Sequence, residues 1–255
     1  MGMIFKLQLA NIGFPSNLLG AGIDYSYGVE IFKTTALGIS RSTVPVRTGN
    51  LLKSISNKSQ MTGNVRGIGR TRAAIIETIQ TTGAAIRSLV CLQTFDSNAK
   101  LEAEASADYA QYVEFGTERQ SEQPYFLPGI AAGLDNAAED FADAVNRVGQ
   151  QLVKIAYDET MRQYNLAIEN LIAAQICLAS GDSAGFEYHM ELYRFHMANV
   201  EVGFELMDML EETTEAMIDE GLEAISELSD EEALTNYIEI SDSSDLGDYS
   251  NDFNY

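Results

Sequence analysis

The sequence of 255 residues lacks tryptophan and contains only two cysteines and four prolines. Cys91 and Cys177 lie far apart and lack the Cys-x-x-Cys spacing of redox or zinc motifs. Both are therefore interpreted as free, small hydrophobic residues in a reduced compartment. No apolar run reaches the length of a membrane span, and the N-terminus lacks the apolar segment of an export signal. We expect neither membrane insertion nor export.

Basic residues are scarce in the second half of the chain. Residues 1 to 128 hold 12 Lys and Arg against 10 Asp and Glu, whereas residues 129 to 255 hold 4 against 28. An acidic surface of this kind repels phosphate, which argues against nucleic-acid binding, although DNA could pass such a surface without sticking to it. The asymmetry also predicts two structural parts in different environments.

Motifs of catalysis are also missing. The sequence contains no G-x-S-x-G and no P-loop, and the glycine-rich stretch 57–70 is interpreted as a flexible surface loop. His189 and His196 are seven residues apart, unlike the i, i+4 pair of a zinc helix. We therefore predict that the protein is not an enzyme and has no catalytic residues, no cofactor and no metal site.

The first part of the chain alternates helical and extended segments. Helical spacing of apolar residues predicts a helix from about Ile23 to Ile39, which stops before Pro45. A tight turn at Thr48-Gly49-Asn50 then leads into a strand or a short helix. Residues 71–82 are weakly helical.

A β-hairpin and a short helix are predicted further along this part. Two extended runs, 88–95 and 101–107, are separated by polar turn residues, which favours a hairpin. Asp108 is suited to cap a short helix through Phe115, and Gly116 is placed to end that helix in a left-handed conformation.

The back half is predicted to be two long helices, since no proline follows Pro128. An apolar stripe with alternating steps of four and three residues breaks at Asp158-Glu159, which predicts a register shift within one helix. Gly181-Asp182-Ser183 supplies a stop and a new N-cap, so the two helices should form an antiparallel hairpin in which the stripes Phe141–Ile155 and Phe186–Phe204 pack together. The first stripe comprises Leu134, Ala138, Phe141, Val145, Val148, Leu152 and Ile155 and resumes with Met161, Tyr164, Ile168 and Leu171; the second comprises Phe186, Met190, Tyr193, Met197, Val200, Phe204 and Met207.

Two separated segments and a short closing one carry a family resemblance. The first, Val44-Pro-Val-Arg-Thr-Gly-Asn-Leu51 with Ser54-Ile55, is similar to Pro-Val-x-Thr-Gly-x-Leu followed by Ser-Ile. The second, Tyr109-Ala-Gln-Tyr-Val-Glu-Phe-Gly-Thr117, is similar to Tyr-Ala-x-Tyr-Val-Glu-Phe-Gly-Thr. Gln123-Pro-Tyr125 and Pro128 then match a closing Gln-Pro-Phe and proline. In this order, the segments resemble the minor tail-component family of tailed bacteriophages, whose members act in tail completion or head–tail joining.

The resemblance covers about residues 20 to 145 and implies an α+β fold in which helices pack on a small sheet. Together with the helical stripes, this predicts three parts. Residues 1–145 form the tail-completion-like domain, residues 146–228 a long acidic helical hairpin, and residues 229–255 an acidic tail that is mobile until it meets a partner.

The resemblance further implies a structural virion protein of the phage neck. Copies are expected to form a six-fold or twelve-fold ring that contacts portal-side or tail-tube proteins, while DNA passes nearby and no membrane is involved. The protein would be assembled into the virion in the host bacterial cytoplasm. The alternative is a helical adaptor or scaffold that descends from the same family but stays outside the particle.

The motif residues are expected to serve structure and assembly. For Glu114 three roles stay open: a solvated helix residue, a carboxylate that caps nearby backbone amides, or one partner of an intersubunit ion pair with Arg47 or Arg119. The motif residues with expected structural or assembly roles are Pro45, Thr48, Gly49, Leu51, Tyr109, Tyr112, Glu114, Phe115, Gly116, Thr117, Pro124 and Pro128.

Overall fold

The computed structural model describes residues 2–12, 14, 17–18, 20–45, 49–63, 68–83 and 98–241. A small antiparallel sheet with helices is followed by two long helices packed as a hairpin, as the sequence predicted. The strands are β1 (Gly2–Gln8), β2 (Asn17–Leu18), β3 (Ala21–Gly22), β4 (Ile55–Asn57), β5 (Gln60–Thr62), β6 (Asn98–Ala105) and β7 (Ile238–Ser241). The α-helices are α1 (Ser26–Thr43), α2 (Asn50–Ser54), α3 (Gly69–Gln80), α4 (Ala110–Glu114), α5 (Leu127–Ser180), α6 (Ser183–Leu228) and α7 (Glu231–Leu234), with short 3-10 turns at Leu9–Ile12 and Thr235–Tyr237.

Strand β6 is the centre of the five-stranded sheet. It pairs with β1 on one side and with β4 and β5 on the other, and β1 in turn pairs with β7. Met3, Phe5 and Leu7 of β1 alternate with more exposed residues, so one face of the strand is buried. No strand was predicted at Gly2–Gln8, because its pairing partners lie about a hundred or more residues away in sequence.

Most local predictions in the first part are confirmed. Helix α1 ends before Pro45, and Gly49 adopts a left-handed conformation (φ 75°) ahead of α2. The stretch 57–70 is not only a loop, since Gln60–Thr62 pairs with β6. β6 overlaps the second strand of the predicted hairpin, whereas the first, 88–95, lies outside the described residues.

The core joins the sheet, α1 and the start of α5. Phe14, Tyr25 and Phe141 form a cluster with ring centroids 6.0 to 6.5 Å apart. Glycines let α5 approach α1 closely: a Cβ at Gly129 would lie 2.0 Å from Oγ of Ser40. Because α5 contributes Phe141 and Gly129 to this core, the long helix belongs to the first part as well as to the hairpin.

The hairpin forms as predicted at its turn. Gly181 ends α5 in a left-handed conformation (φ 79°), and the side chain of Asp182 accepts a hydrogen bond from the backbone N–H of Gly185 at 2.9 Å. Gly181 therefore ends the first long helix, and Asp182 caps the N-terminus of the second, as the sequence predicts.

Two predictions about the packing of the hairpin are wrong. Helix α5 runs without interruption through Asp158-Glu159, and its buried positions continue there with a regular helical period instead of a register shift. The resumed stripe lies beside these buried positions, since Tyr164 is exposed and Met161, Ile168 and Leu171 are only partly buried. The buried positions in this stretch are Gly149, Leu152, Ala156, Glu159, Thr160, Gln163, Ala167 and Ala174.

The stripes Phe141–Ile155 and Phe186–Phe204 do not face one another. A Cβ at Gly149 would meet Thr214, and a Cβ at Gly203 would meet Thr160. In each pair, the two residues are equally far along the chain from the turn at Gly181 and Asp182. The residues opposite Phe141–Ile155 are therefore about 208–222. The link between the helices is so short that residues equally distant from the turn must pair.

Part of the predicted tail belongs to the sheet. Ile238–Ser241 pairs with β1, and Leu234 is buried against the core, so the prediction of a mobile tail is wrong for this stretch. It was missed because the pairing depends on β1, at the other end of the chain. Residues 242–255 lie outside the described residues.

A fragment of residues 1–145 is expected to lose cooperative unfolding. It would lack β7 and the α6 residue Gly221, whose Cα packs against the ring of Phe14 in the aromatic cluster. Denaturant unfolding followed by circular dichroism measures this, with a fragment of residues 1–241 as the control. A cooperative transition in the shorter fragment, with the midpoint of the longer one, would contradict the shared core.

Candidate functional site

The two long motif segments meet in the folded chain and line one cavity of about 610 Å³, which we call the motif groove. One wall is the turn and first residues of α2, and the other is α4 with the loop that follows it. Leu51 and Val113 are buried between these walls. The lining residues are Pro45, Gly49, Asn50, Leu51, Leu52, Tyr109, Val113, Arg119, Gln120 and Gln123.

Helix α4 presents aromatic side chains to solvent beside this groove. Tyr109, Tyr112 and Phe115 each keep between 40% and 45% of their surface exposed. Tyr109 occupies the N-cap position of α4 in place of the predicted Asp108. Exposed aromatic residues grouped at one place are typical of protein–protein contact surfaces, where they bury much area at little cost in side-chain entropy.

Glu114 points away from the groove and into the protein. Its side chain is 2% exposed, and its carboxylate accepts hydrogen bonds from the backbone N–H groups of Tyr125, Phe126 and Leu127 at 2.8, 2.9 and 2.8 Å. These amides lead into the first turn of α5, where unpaired N–H groups and the helix dipole favour a negative charge. Of the three roles left open by the sequence, Glu114 has that of the backbone cap.

An intersubunit pair of Glu114 with Arg47 or Arg119 is therefore not the arrangement observed. The carboxylate is enclosed by its own chain, whereas Arg119 is exposed at the motif groove. Arg47 and Thr48 lie outside the described residues.

The loop after α4 is shaped by Gly116 and by short-range pairing. Gly116 has φ 72°, as predicted for a left-handed helix end, and Thr117 and Gln120 exchange backbone hydrogen bonds. The N–H of Gln123 donates to the carbonyl of Val113 at 2.8 Å, which returns the chain to α4. Pro124 then precedes the amides bound by Glu114, and Pro128 occupies the first turn of α5, where its missing N–H costs nothing.

A buried polar network was missed by the sequence analysis. Glu159 of α5 accepts hydrogen bonds from Gln80 of α3 at 3.2 Å, from Gln163 at 2.7 Å and from Arg162 at 2.6 and 2.8 Å. The side-chain oxygen of Gln163 lies 2.8 Å from Nδ1 of His196 and accepts a hydrogen bond from the side-chain amide of Asn199 at 3.1 Å. His196 and Asn199 are both on α6. The steps Glu159–Gln163 and His196–Asn199 could have indicated paired polar residues on facing helices.

The pKa values of three groups in the network are shifted, and that of Arg162 is raised, chiefly by its hydrogen bonds to Glu159. Burial raises the pKa of Glu159, but the hydrogen bonds from Arg162, Gln163 and Gln80 outweigh burial and lower it overall. Burial, with a contribution from the charge of Arg162, lowers the pKa of His196. The network therefore keeps Glu159 charged and His196 neutral near pH 7, and it links α3 to both long helices.

In the part of the chain that the structure describes, no group of three or more His, Cys, Asp or Glu side chains is placed to hold a metal ion. Within the same residues, none of the helices is both long and apolar enough to cross a membrane.

Comparison with protein-family models, with curated proteins and with solved structures gives no match.

Replacing Glu114 by Gln is expected to lower the free energy of unfolding by about 1–3 kcal/mol, because the amide cannot accept all three N–H groups and places its own donor against one of them. Urea denaturation of the purified chain measures this loss. Glu118→Gln, in the exposed part of the following loop, is the matched control. Equal stability of the two variants would show that the cap contributes nothing to folding.

Gly116→Val is expected to cost about 1–3 kcal/mol of stability, since a side chain disfavours this left-handed backbone. The new Cβ would also lie 2.8 Å from the backbone nitrogen of Glu122. Gly49→Val is the control, because Gly49 has a similar φ of 75° and open space around its Cα. A smaller loss of thermal stability at Gly116 than at Gly49 would contradict the steric contribution.

Proposed function

We propose that this chain is a structural virion protein of a tailed-phage neck, which joins or completes the tail at the head–tail interface as a ring of copies. The observation that carries the proposal is the motif groove. Segments that resemble the tail-component family are more than fifty residues apart in sequence, yet they line one cavity beside three exposed aromatic side chains. Residues that serve one contact surface are expected to lie together in the folded chain, even when they are far apart in sequence.

The groove suits a protein contact better than a reaction. Among the described residues, its lining combines apolar side chains with the amides of Asn50, Gln120 and Gln123 and the guanidinium of Arg119. Such a lining resembles a protein interface, with an apolar centre and a polar rim that can donate and accept hydrogen bonds. We infer that a neighbouring subunit of the ring contacts this groove and the exposed side chains of Tyr112 and Phe115.

The charge of the back half fits a place near passing DNA. Residues 129 to 255 hold 28 acidic and 4 basic residues, and a surface of this sign does not retain a polyanion. Binding to the neck is therefore assigned to the first part of the chain, and the hairpin projects from the ring.

Tyr112→Glu is expected to reduce incorporation into particles at least tenfold while the isolated chain keeps its fold, because the substitution places a charge in the proposed contact. Tyr27→Glu is the matched control, since Tyr27 is an exposed tyrosine on α1. Quantitative mass spectrometry of purified virions measures incorporation, and circular dichroism checks the fold. Absence of the wild-type chain from virions would contradict the proposal and favour an adaptor outside the particle.

A further inference from the structure

The end of the hairpin leaves large apolar side chains uncovered. From Ala156 to the turn, α5 and α6 approach each other through small and polar residues such as Ala167, Ala174 and Asn199. Their largest apolar residues are displaced from this contact. Tyr157, Tyr164, Ile172 and Phe204 are each between 41% and 52% exposed.

These residues lie on one side of the two-helix layer, which we call the distal face. At about 100° per residue, the α5 members are rotated from buried Ala156, and the α6 members from buried Gly203, by roughly a third of a turn in the same sense. Because the helices are antiparallel, equal rotations lead to the same side. The distal face comprises Tyr157, Met161, Tyr164, Ile168 and Ile172 of α5 and Phe186, Met190, Tyr193, Met197 and Phe204 of α6.

A groove between the helices supports this placement. A cavity of about 580 Å³ is lined by apolar residues such as Tyr157 of α5 and Met207 of α6, and also by the charged residues Lys154, Glu211 and Glu215. Tyr157 is a member of the distal face, and Met207 continues the α6 stripe by one step of three residues. The apolar residues of α5 and α6 therefore lie on the same side of the hairpin, and the groove extends the distal face toward the sheet.

Charge is distributed so that a second acidic chain could approach this face. None of the members of the distal face is charged. Residues 160–204 hold 2 basic and 5 acidic residues, whereas residues 205–232, nearer the sheet, hold 12 acidic residues and no basic one. Repulsion between two copies is thus concentrated away from the distal face, and the Debye length of about 8 Å at physiological ionic strength screens much of it.

We propose that the distal face binds a second copy of this chain, so that two hairpins pack face to face as a four-helix bundle. Apolar steps of four and three residues are the spacing with which helices of such bundles interlock. A symmetric pair needs only one kind of surface, which each copy supplies. The proposal does not depend on the neck function.

The size of the face is sufficient for a stable pair. A hairpin segment of about 20 residues per helix is roughly 30 Å long and 20 Å wide, which buries about 600 Å² on each copy. The total of about 1,200 Å² reaches the lower end of the range for specific interfaces. A basic partner is less well matched to the distal face, because its ten members are uncharged and the acidic side chains Glu211 and Glu215 line only the adjoining groove nearer the sheet.

Sedimentation equilibrium of the full chain, over a wide concentration range and at low and high salt, tests this pairing. The variant Tyr164→Glu/Phe204→Glu places charges on the distal face at exposed positions and is expected to halve the mass of the assembly. Tyr188→Glu/Phe195→Glu is the matched control, because these equally exposed residues lie on the other side of α6, and its mass should equal that of the wild type. Higher salt should strengthen pairing of the wild type.

Three outcomes would overturn the proposal. They are a wild-type chain that stays monomeric at the highest concentration, a mass that the distal-face variant leaves unchanged, and association that weakens as salt is raised. The last result would indicate an ionic contact instead. Circular dichroism of each variant checks that helix content is retained. These readouts use the isolated chain, so absence of the protein from virions would refute the neck function without affecting this result.

Discussion

The carboxylate of Glu114 at the start of α5 is the contact on which the arrangement of both parts of the chain depends. It holds the amides of Tyr125–Leu127, from which a helix of 54 residues begins, against the helix that forms one wall of the motif groove. Three hydrogen bonds to one buried anion fix both position and direction of that first turn. The same side chain therefore ties one wall of the groove to the helix that begins the hairpin.

Helix α5 carries this orientation through the molecule. Its first turns pack on α1 through Gly129, its middle contributes Phe141 to the aromatic cluster, and its remainder forms the hairpin with α6. Small residues recur where α5 meets α1 and α6, and Gly149 and Gly203 allow contacts too close for a larger side chain. Close backbone approach leaves bulky apolar residues at the edges of the helix contact, which accounts for the uncovered distal face.

Much of the local structure could be predicted from particular residues. Gly181 and Asp182 indicated the turn of the hairpin, and the absence of proline after Pro128 indicated the long helices. Gly116 indicated the left-handed end of the short helix before it. Strand β1 and its pairing with β7 could not be predicted, because a strand is stabilised by partners that lie far away in sequence. The same limit applies to the motif groove: its two walls were identified separately, but their meeting depends on the fold.

The sequence by itself determined the long helices, the reversal of the chain between them and the turn positions that need glycine, since these follow from backbone sterics and local hydrogen bonds. Only the tertiary structure decided which helix faces pack and which partner Glu114 takes. The 4-3 stripes of the hairpin show the difference. Periodicity identified them as apolar, but the short link at Asp182 and the close approach at Gly203 set the facing residues, and they turned Tyr164 and Phe204 outward.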